Sequence, residues 1–288
     1  MQAVVVYLNG QYLDYQDARV PVDERGLQFA DGVYDAGLIY HGRFVDLDDH
    51  LARLERSAAG IELQLPMARR ELREVAEELL RRAQSPDFAL IYLQVTRGVA
   101  PRDHKFPVGA TPTVIAYVMP ATFDAKAFEE GAKVVTEPDL RWLRCDLKSI
   151  SILANCLARQ HAAVKGAKEA ILVRAGVGVT EGTLSNIWLV RGGTIVTAPA
   201  STFILGGITR SVVLRLATQA QIPVEERFAS PKELMAADEV FMTNSLSHVT
   251  PIVEVDGVAV GTGIPGPVTR RLQELYLARL ETLVSEAV

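Results

Sequence analysis

Residues 141–149 are Arg-Trp-Leu-Arg-Cys-Asp-Leu-Lys-Ser, and they place a single lysine, Lys148, between Leu147 and a mainly apolar run at 150–157. Apolar surroundings disfavour the charged form of a lysine, so its amine becomes available as a nucleophile or Schiff-base former. A solvated lysine at the start of a helix is the commoner case for any single lysine. The stretch therefore indicates chemistry only together with signals elsewhere in the chain.

The composition is that of a globular protein able to bury a sizeable core, with 49% hydrophobic and 23% charged residues among 288. A net charge of −5 with both signs interspersed argues against a nucleic-acid surface. No apolar run approaches the roughly 20 residues that span a bilayer, and no signal-peptide pattern is present. Two cysteines, Cys145 and Cys156, form no disulfide framework. These features predict a cytoplasmic location with no membrane or nucleic-acid partner.

Helix and strand signals alternate along the chain. Apolar residues at helical spacing, with capping residues, predict helices over 48–59 (capped by Asp48), 67–83, 152–163, 209–220, 230–237 and 267–285. Runs rich in β-branched residues predict strands over 3–8, 11–13, 33–40, 43–47, 88–96, 113–119, 132–136, 169–173, 187–190, 194–196, 224–228 and 239–242. A long loop at 97–111 separates two strands, and a loop of that length is usually functional.

Turn residues divide these elements into hairpins. Hairpins turn at Asn9-Gly10, His41-Gly42, Gly192-Gly193 and Asp256-Gly257. They are too frequent for a purely parallel sheet, so we predict a mixed α/β or α+β fold. We predict an N-terminal α/β domain over 1–119, a linker over 120–123 and a C-terminal domain over 124–288.

Several common catalytic motifs are missing from the sequence. It contains no dinucleotide-binding glycine fingerprint, no phosphate loop ending in Gly-Lys-Ser/Thr and no Gly-x-Ser-x-Gly elbow. The histidines lack metal-type spacing, which argues against a zinc site.

Four other stretches carry groups that suit a ligand. Gly206-Gly207 precedes a predicted helix whose free N–H groups could face a phosphate, although a plain glycine turn explains the pattern as well. Glu181 lies in a predicted turn between two strands. Arg102 and His104 lie two residues apart in the long loop, so an extended backbone would point both towards one substrate carboxylate. Arg53, on the 48–59 helix, is either a surface residue or turned inward to a phosphate.

In combination these stretches resemble the class IV aminotransferases, the pyridoxal-phosphate enzymes of fold type IV that include D-amino-acid and branched-chain aminotransferases and aminodeoxychorismate lyase. The resemblance covers nearly the whole chain and is strongest to the D-amino-acid aminotransferases. It is carried by residues 29–34, 50–54, 96–107, 141–149, 180–182, 207–210 and 250–251. The loop with Arg102 and His104 is the most discriminating segment. A two-domain fold and a cofactor-binding C-terminal domain are what the resemblance implies.

The resemblance also implies roles for individual residues. Lys148 would hold pyridoxal 5'-phosphate as a Schiff base and then move the substrate proton, and Glu181 would pair with the pyridine nitrogen. The phosphate would be held by Arg53, Ile208, Thr209 and Ser245, and Leu205 would pack beside the ring. The substrate carboxylate would contact Tyr34, Arg102 and His104, with the loop residues reaching across a homodimer interface.

Three functions stay open at this point. The first is a transaminase that acts on a D-amino acid such as D-alanine and a 2-oxo acid such as 2-oxoglutarate. The second keeps the fold and cofactor but acts as a branched-chain L-amino-acid aminotransferase or an aminodeoxychorismate lyase, because loops vary most among relatives. The third is a non-catalytic dimer, against which the presence of Lys148, Glu181 and Arg53 argues.

Overall fold

The structure is a computed structural model that describes residues 5–285. The chain forms two compact units: Met1–Thr122 with Leu147–Ser151, and Phe123–Asp146 with Ile152–Val288. The predicted domain limits at 1–119, 120–123 and 124–288 stay a prediction. They place Leu147–Ser151 in the C-terminal domain, whereas this segment groups with the first unit.

The first unit is an antiparallel sheet with helices packed on it. Its strands are β1 (Val5–Leu8), β2 (Gln11–Asp14), β3 (Gly32–Tyr40), β4 (Arg43–Phe44), β5 (Phe88–Thr96) and β6 (Thr113–Pro120), in the order β2-β1-β6-β5-β3-β4. Its helices are α1 (Arg25–Phe29), α2 (Leu47–Gly60) and α3 (Arg69–Arg82). Leu51 and Leu54 of α2 and Leu72 of α3 are buried in one apolar cluster with Ile91 of β5. The apolar stripe at helical spacing therefore supplies the core of this unit.

Two details of the first unit differ from the sequence prediction. The predicted helix cap at Asp48 is wrong: Asp46 is the N-cap of α2, in the left-handed conformation, and Asp48 lies in the first helical turn. There its carboxylate still interacts favourably with the positive end of the helix dipole. The short helix α1 is absent from the prediction, and Glu24 caps it by accepting from the N–H of Leu27. Residues 3 and 4 of the first predicted strand lie outside the described residues.

The second unit contains a mixed sheet of nine strands. These are β7 (Ala132–Pro138), β8 (Glu169–Arg174), β9 (Gly178–Gly182), β10 (Asn186–Arg191), β11 (Thr194–Thr197), β12 (Val224–Glu226), β13 (Glu239–Asn244), β14 (His248–Val255) and β15 (Val258–Ala259). The order is β12-β11-β10-β13-β14-β7-β8-β9, with β15 paired to β14. The helices are α4 (Ala125–Glu130), α5 (Leu153–Val164), α6 (Ile208–Gln219), α7 (Pro231–Met235) and α8 (Pro267–Ser285).

Parallel and antiparallel pairs both occur in this sheet. The pairs β7–β8, β7–β14 and β11–β12 are parallel, and the others are antiparallel. The predicted mixed α and β fold is therefore confirmed. One position was wrong: Glu181 lies in strand β9 and not in a turn, because the turn comes after it, at 183–185.

Candidate active site

The backbone around Lys148 is fixed within the first unit by three hydrogen bonds. The backbone N–H of Tyr34 donates to the Lys148 carbonyl at 2.9 Å, and the Lys148 N–H donates to Ser57 Oγ at 3.0 Å. The Ile150 N–H donates to the Gly32 carbonyl at 3.1 Å. Helix α5 begins only at Leu153, so Lys148 lies outside it. The segment is thus held beside the start of β3.

The amine of Lys148 is next to a predicted substrate-binding residue. Its Nζ lies 4.4 Å from the centroid of the Tyr34 ring, and both side chains are partly buried. An aromatic face attracts an ammonium group in this geometry. The Tyr34 ring in turn stacks on Tyr92, with 5.6 Å between the ring centroids. Two residues predicted separately from sequence, Tyr34 and Lys148, are therefore adjacent.

Arg53 points inward and belongs to what we call the Arg53 cluster, formed by Asp35, His50 and Arg53. Arg53 donates from Nε to Asp35 Oδ2 and from Nη2 to Oδ1, each at 2.8 Å. His50 Nδ1 lies 2.7 Å from Asp35 Oδ1. Burial alone would raise the pKa of Asp35, but the charges and hydrogen bonds of Arg53 and His50 hold it well below its ordinary value. A buried, oriented guanidinium suits a phosphate.

Glu181 belongs to a second buried group, the Glu181 cluster, formed by Asp139, Arg141, Arg174, Thr180 and Glu181. Arg141 Nη1 pairs with Glu181 Oε1, while its Nε and Nη2 donate to the two oxygens of Asp139 at 2.9 Å. Arg174 Nη2 lies 3.0 Å from Asp139 Oδ1, and the Thr180 hydroxyl donates to Asp139 Oδ2 at 2.8 Å. Burial would raise the pKa of Asp139, but Arg141 lowers it overall.

The other oxygen of Glu181 is also occupied. Glu181 Oε2 accepts from Asn186 Nδ2 at 3.1 Å and from the Leu205 N–H at 3.0 Å. With Arg141, three donors converge on one buried carboxylate, which favours its ionised form and fixes its orientation. Such an anion can keep a pyridine nitrogen protonated. Glu181 and Leu205, which the family resemblance places at the same cofactor, are therefore in contact.

The start of helix α6 presents hydrogen-bond donors. Gly207 is the N-cap, and no side chain caps this helix. The first N–H groups of an α-helix have no acceptor within the helix, so those of Ile208 and Thr209 are available to an anion. A Cβ on Gly207 would lie 2.1 Å from Asn186 Oδ1, so any side chain at this position would have to displace the Asn186 amide. The donors and the bare backbone fit a phosphate group.

Ser245 occupies the turn between β13 and β14. Asn244 Oδ1 accepts from the backbone N–H of Leu246 at 3.0 Å and of Ser247 at 2.7 Å, which shapes this turn. Ser245 is partly buried within it. A hydroxyl on a turn held in this way is a suitable donor to a phosphate oxygen.

Arg102 and His104 share one aromatic partner. The Cζ of Arg102 lies 4.7 Å from the centroid of Phe29, and the His104 ring meets Phe29 edge-on at 5.5 Å. The backbone bends at both residues, so their common direction does not come from an extended strand. Arg25 helps to hold the loop by donating from Nη1 to the Asp103 carbonyl at 2.6 Å. Arg102 and His104 are both exposed in the single chain.

The partners of the predicted residues carry no recognisable signal in the sequence. Four such residues were assigned no role. Three contact a predicted functional side chain directly: Asp35, Arg141 and Asn186. The fourth, Asp139, contacts Arg141. Arg141 lies in the stretch around Lys148, but an arginine in an apolar stretch does not reveal which carboxylate pairs with it. Asn186 follows a turn and carries no motif of its own. The contacts of Asp35 with Arg53 and of Arg141 with Glu181 span 18 and 40 residues, beyond the reach of local patterns.

Three further features of the described residues concern membrane-spanning helices, metal-binding groups and reactive thiols. Across residues 5–285, no helix is long and apolar enough to cross a membrane. The same residues contain no group of three His, Cys, Asp or Glu side chains that could hold a metal ion. Cys145 and Cys156 are free thiols, and burial raises the pKa of Cys145 to about 11.

The chain matches known proteins along most of its length. The family model for amino-transferase class IV matches residues 32–255. A D-alanine aminotransferase from Bacillus licheniformis is 43% identical over 268 residues, covering 93% of this chain and 94% of the relative. A D-alanine aminotransferase from Staphylococcus haemolyticus is 39% identical, covering 96% and 98%.

Solved structures match the fold. The branched-chain amino acid aminotransferase of Escherichia coli has a TM-score of 0.90 and 27% identity, covering 96% of this chain and 94% of that one. The branched-chain aminotransferase from Thermoproteus uzoniensis with norvaline has a TM-score of 0.86 and 28% identity, with coverage of 96% and 94%. The chain therefore belongs to the class IV aminotransferases, enzymes of fold type IV that depend on pyridoxal 5'-phosphate.

Proposed function

We propose that this aminotransferase moves an amino group between a D-amino acid such as D-alanine and a 2-oxo acid such as 2-oxoglutarate. The observation that carries the proposal is the pair Arg102 and His104, two donors gathered on the ring of Phe29. Such a pair suits the α-carboxylate that both substrates share. Relatives named D-alanine aminotransferases, up to 43% identical, support the same choice.

Lys148 and Tyr34 have proposed parts in catalysis. Bound pyridoxal 5'-phosphate withdraws electrons from the α-carbon of an attached amino acid, so that this carbon releases a proton. The Nζ of Lys148 would bind the cofactor and, once released, would remove the proton from the substrate α-carbon and return it to the cofactor carbon that Nζ had held. Tyr34, whose ring centroid is 4.4 Å from this Nζ, limits the space through which the amine moves.

The remaining predicted residues are proposed to bind and orient. Glu181 keeps the ring nitrogen protonated, since three donors hold its carboxylate. Leu205 packs beside the ring. The phosphate is proposed to bind Arg53, the N–H groups of Ile208 and Thr209, and the hydroxyls of Thr209 and Ser245. The substrate carboxylate is proposed to bind Tyr34, Arg102 and His104.

We also propose a cytoplasmic homodimer. Two free thiols and no disulfide are usual in a reducing compartment. The loop with Arg102 and His104 is exposed in the single chain, which leaves both side chains available to a second copy. In the proposed dimer these residues serve the partner's active site.

The amine of Lys148 is the first target for a test. We expect Lys148→Ala to lower transamination from D-alanine to 2-oxoglutarate by about 10³-fold or more, because both the covalent link and the general base are lost. Lys126→Ala is the control, since Lys126 is exposed and pairs only weakly with Glu130 at 3.9 Å. Wild-type rates in Lys148→Ala would refute the proposal.

A second candidate is the branched-chain L-amino-acid aminotransferase. The observation in its favour is the TM-score of 0.90 to the Escherichia coli enzyme of that name. Rates with D-alanine and with L-leucine on the same preparation distinguish the two. Turnover of L-leucine and L-valine without D-alanine would replace the first proposal by the second.

Mixed dimers test where the loop acts. We would produce Lys148→Ala and Arg102→Ala together in one cell. If Arg102 serves the partner's site, the mixed dimer regains one intact site, although each variant alone is weak. If Arg102 acts within its own chain, no intact site forms and the mixture stays as weak as the variants. The second result would contradict the proposed action of the loop across the dimer interface.

A further inference from the structure

The side-chain amide of Asn186 contacts two parts of the second unit. Its Nδ2 donates to Glu181 Oε2 at 3.1 Å and to the Leu205 carbonyl at 2.9 Å. Because both partners are acceptors, a rotated amide would place oxygen against oxygen, and the orientation is fixed by chemistry. Asn186 is only 5% exposed, so water does not replace these partners freely.

The other end of the amide lies against the start of helix α6. A Cβ added to Gly207 would lie 2.1 Å from Asn186 Oδ1. Since Gly207 is the N-cap of α6, the amide packs directly on the residue that precedes the Ile208 and Thr209 donors. One side chain thus contacts the Glu181 carboxylate, the Leu205 carbonyl and the N-cap.

A purely structural role in strand β10 does not account for this amide. The backbone of Asn186 pairs with Thr243 of β13, which is all that the ladder requires. Asparagine is also a poor strand former, because it lacks the branched or aromatic surface that packs on a sheet. The contacts of the side chain, and not those of the backbone, distinguish this position.

We propose that Asn186 is a positioning residue that holds the Glu181 carboxylate and the start of α6 in one arrangement. The inference rests on the proposed roles of Glu181 at the ring nitrogen and of α6 at the phosphate. Removing the amide takes one of three donors from Glu181 and leaves the Leu205 carbonyl without this donor. Both ends of the cofactor site should therefore change together.

Two readouts test this, one for each end. Binding of inorganic phosphate to the apoenzyme reports on α6, and the pH titration of the visible absorption of the bound cofactor reports on Glu181. We expect Asn186→Ala to weaken phosphate binding about tenfold and to shift the titration midpoint by about one pH unit. Asn186→Asp should shift it further, because the introduced carboxylate lies beside Glu181 and the two disfavour each other's charge.

Other variants separate this role from general loss of stability. Gly207→Ala should reproduce both changes, since its methyl group displaces the amide, and the double variant Asn186→Ala/Gly207→Ala should be less than additive. Thr197→Val is a matched control: it removes a buried hydrogen bond of 2.8 Å to the Ile187 carbonyl, beside Asn186 in β10. We expect it to leave both readouts unchanged.

The outcomes are distinct. The inference would be overturned if Asn186→Ala left either the phosphate affinity or the titration midpoint unchanged. If only Gly207→Ala folds, the same criterion applies to that variant. The proposed function would stand in that case, provided that Lys148→Ala is inactive. A wild-type protein that shows no visible absorption with pyridoxal 5'-phosphate would contradict the proposed function, and this inference with it.

Discussion

Arg53 and Arg141 each bind an aspartate through two donors in a buried site, but the two clusters use the ion pair in opposite ways. In the Arg53 cluster the arginine is the proposed ligand of the phosphate, and Asp35 orients it. In the Glu181 cluster a carboxylate is the proposed ligand of the ring nitrogen, and Arg141 orients it. A buried charge needs a partner, so the functional group of either sign brings a second, non-functional charge into the core.

The largest effect on the free energy of unfolding is expected at Arg141. Arg141→Met leaves two buried carboxylates, Asp139 and Glu181, without their shared cation, so we expect the free energy of unfolding to fall by about 3–5 kcal/mol. Glu181→Gln leaves Arg141 paired with Asp139 and should cost about 1–3 kcal/mol. Urea unfolding of the apoproteins measures both. Equal costs would mean that Arg141 is not what stabilises the cluster.

A somewhat smaller effect is expected at Asp35. Asp35→Asn retains one oxygen acceptor but removes the charge that faces Arg53, so we expect a loss of about 2–3 kcal/mol in unfolding free energy. Binding of inorganic phosphate to the apoprotein should weaken as well, because Arg53 loses its fixed orientation. If phosphate affinity were unchanged, Asp35 would be a stabilising residue only, and the parallel between the clusters would fail.

Acid titration compares the clusters through their aspartates. The pKa values of Asp35 and Asp139 are both lowered in the folded state, so the stabilisation is complete above the ordinary value of 3.8 and is lost as the pH falls through the folded values. We expect the unfolding free energy to decline steeply below about pH 4. The decline in Asp35→Asn should be shallower by up to about 1.4 kcal/mol per pH unit.

The smallest effect is expected where the same chemistry lies at the protein surface. Glu78 of α3 accepts from Arg81 at 2.6 Å and from Arg82 at 2.5 Å, and these hydrogen bonds lower its pKa to about 2. Solvent and salt screen such a group, so Glu78→Gln should leave the urea midpoint unchanged at about 0.15 M salt. A cost as large as that of Asp35→Asn would show that burial is not the reason for the difference.

Periodic patterns predicted most of the fold. The helices α2, α3, α5, α6 and α8 and the strands β3 and β5 are long enough for repeated apolar positions, and they occur where the patterns indicate. Helices α1 and α4 were missed, because five or six residues are too few to show a helical period. Glu181 was predicted in a turn, although strand β9 runs to Gly182 and the chain turns only after that glycine.

The candidate site was predictable only in part. Chemically distinctive residues in recognisable segments, such as Lys148, Arg53 and Glu181, could be identified from sequence. Their partners could not, since Asp35 and Arg141 are defined by contacts 18 and 40 residues away along the chain. Asn186 carries no local signal at all. The roles assigned to individual residues stay predictions until the variants are measured.

The return of Leu147–Ser151 to the first unit has a consequence for biosynthesis. Strand β3 forms a bridge with Ser149 through Val33, so the first unit is incomplete until residue 151 has left the ribosome. By then the opening helix and strand of the second unit, α4 and β7, have already been translated. A fragment ending at Thr122 would thus lack the amine-bearing segment, and no single cut of the gene yields both units whole.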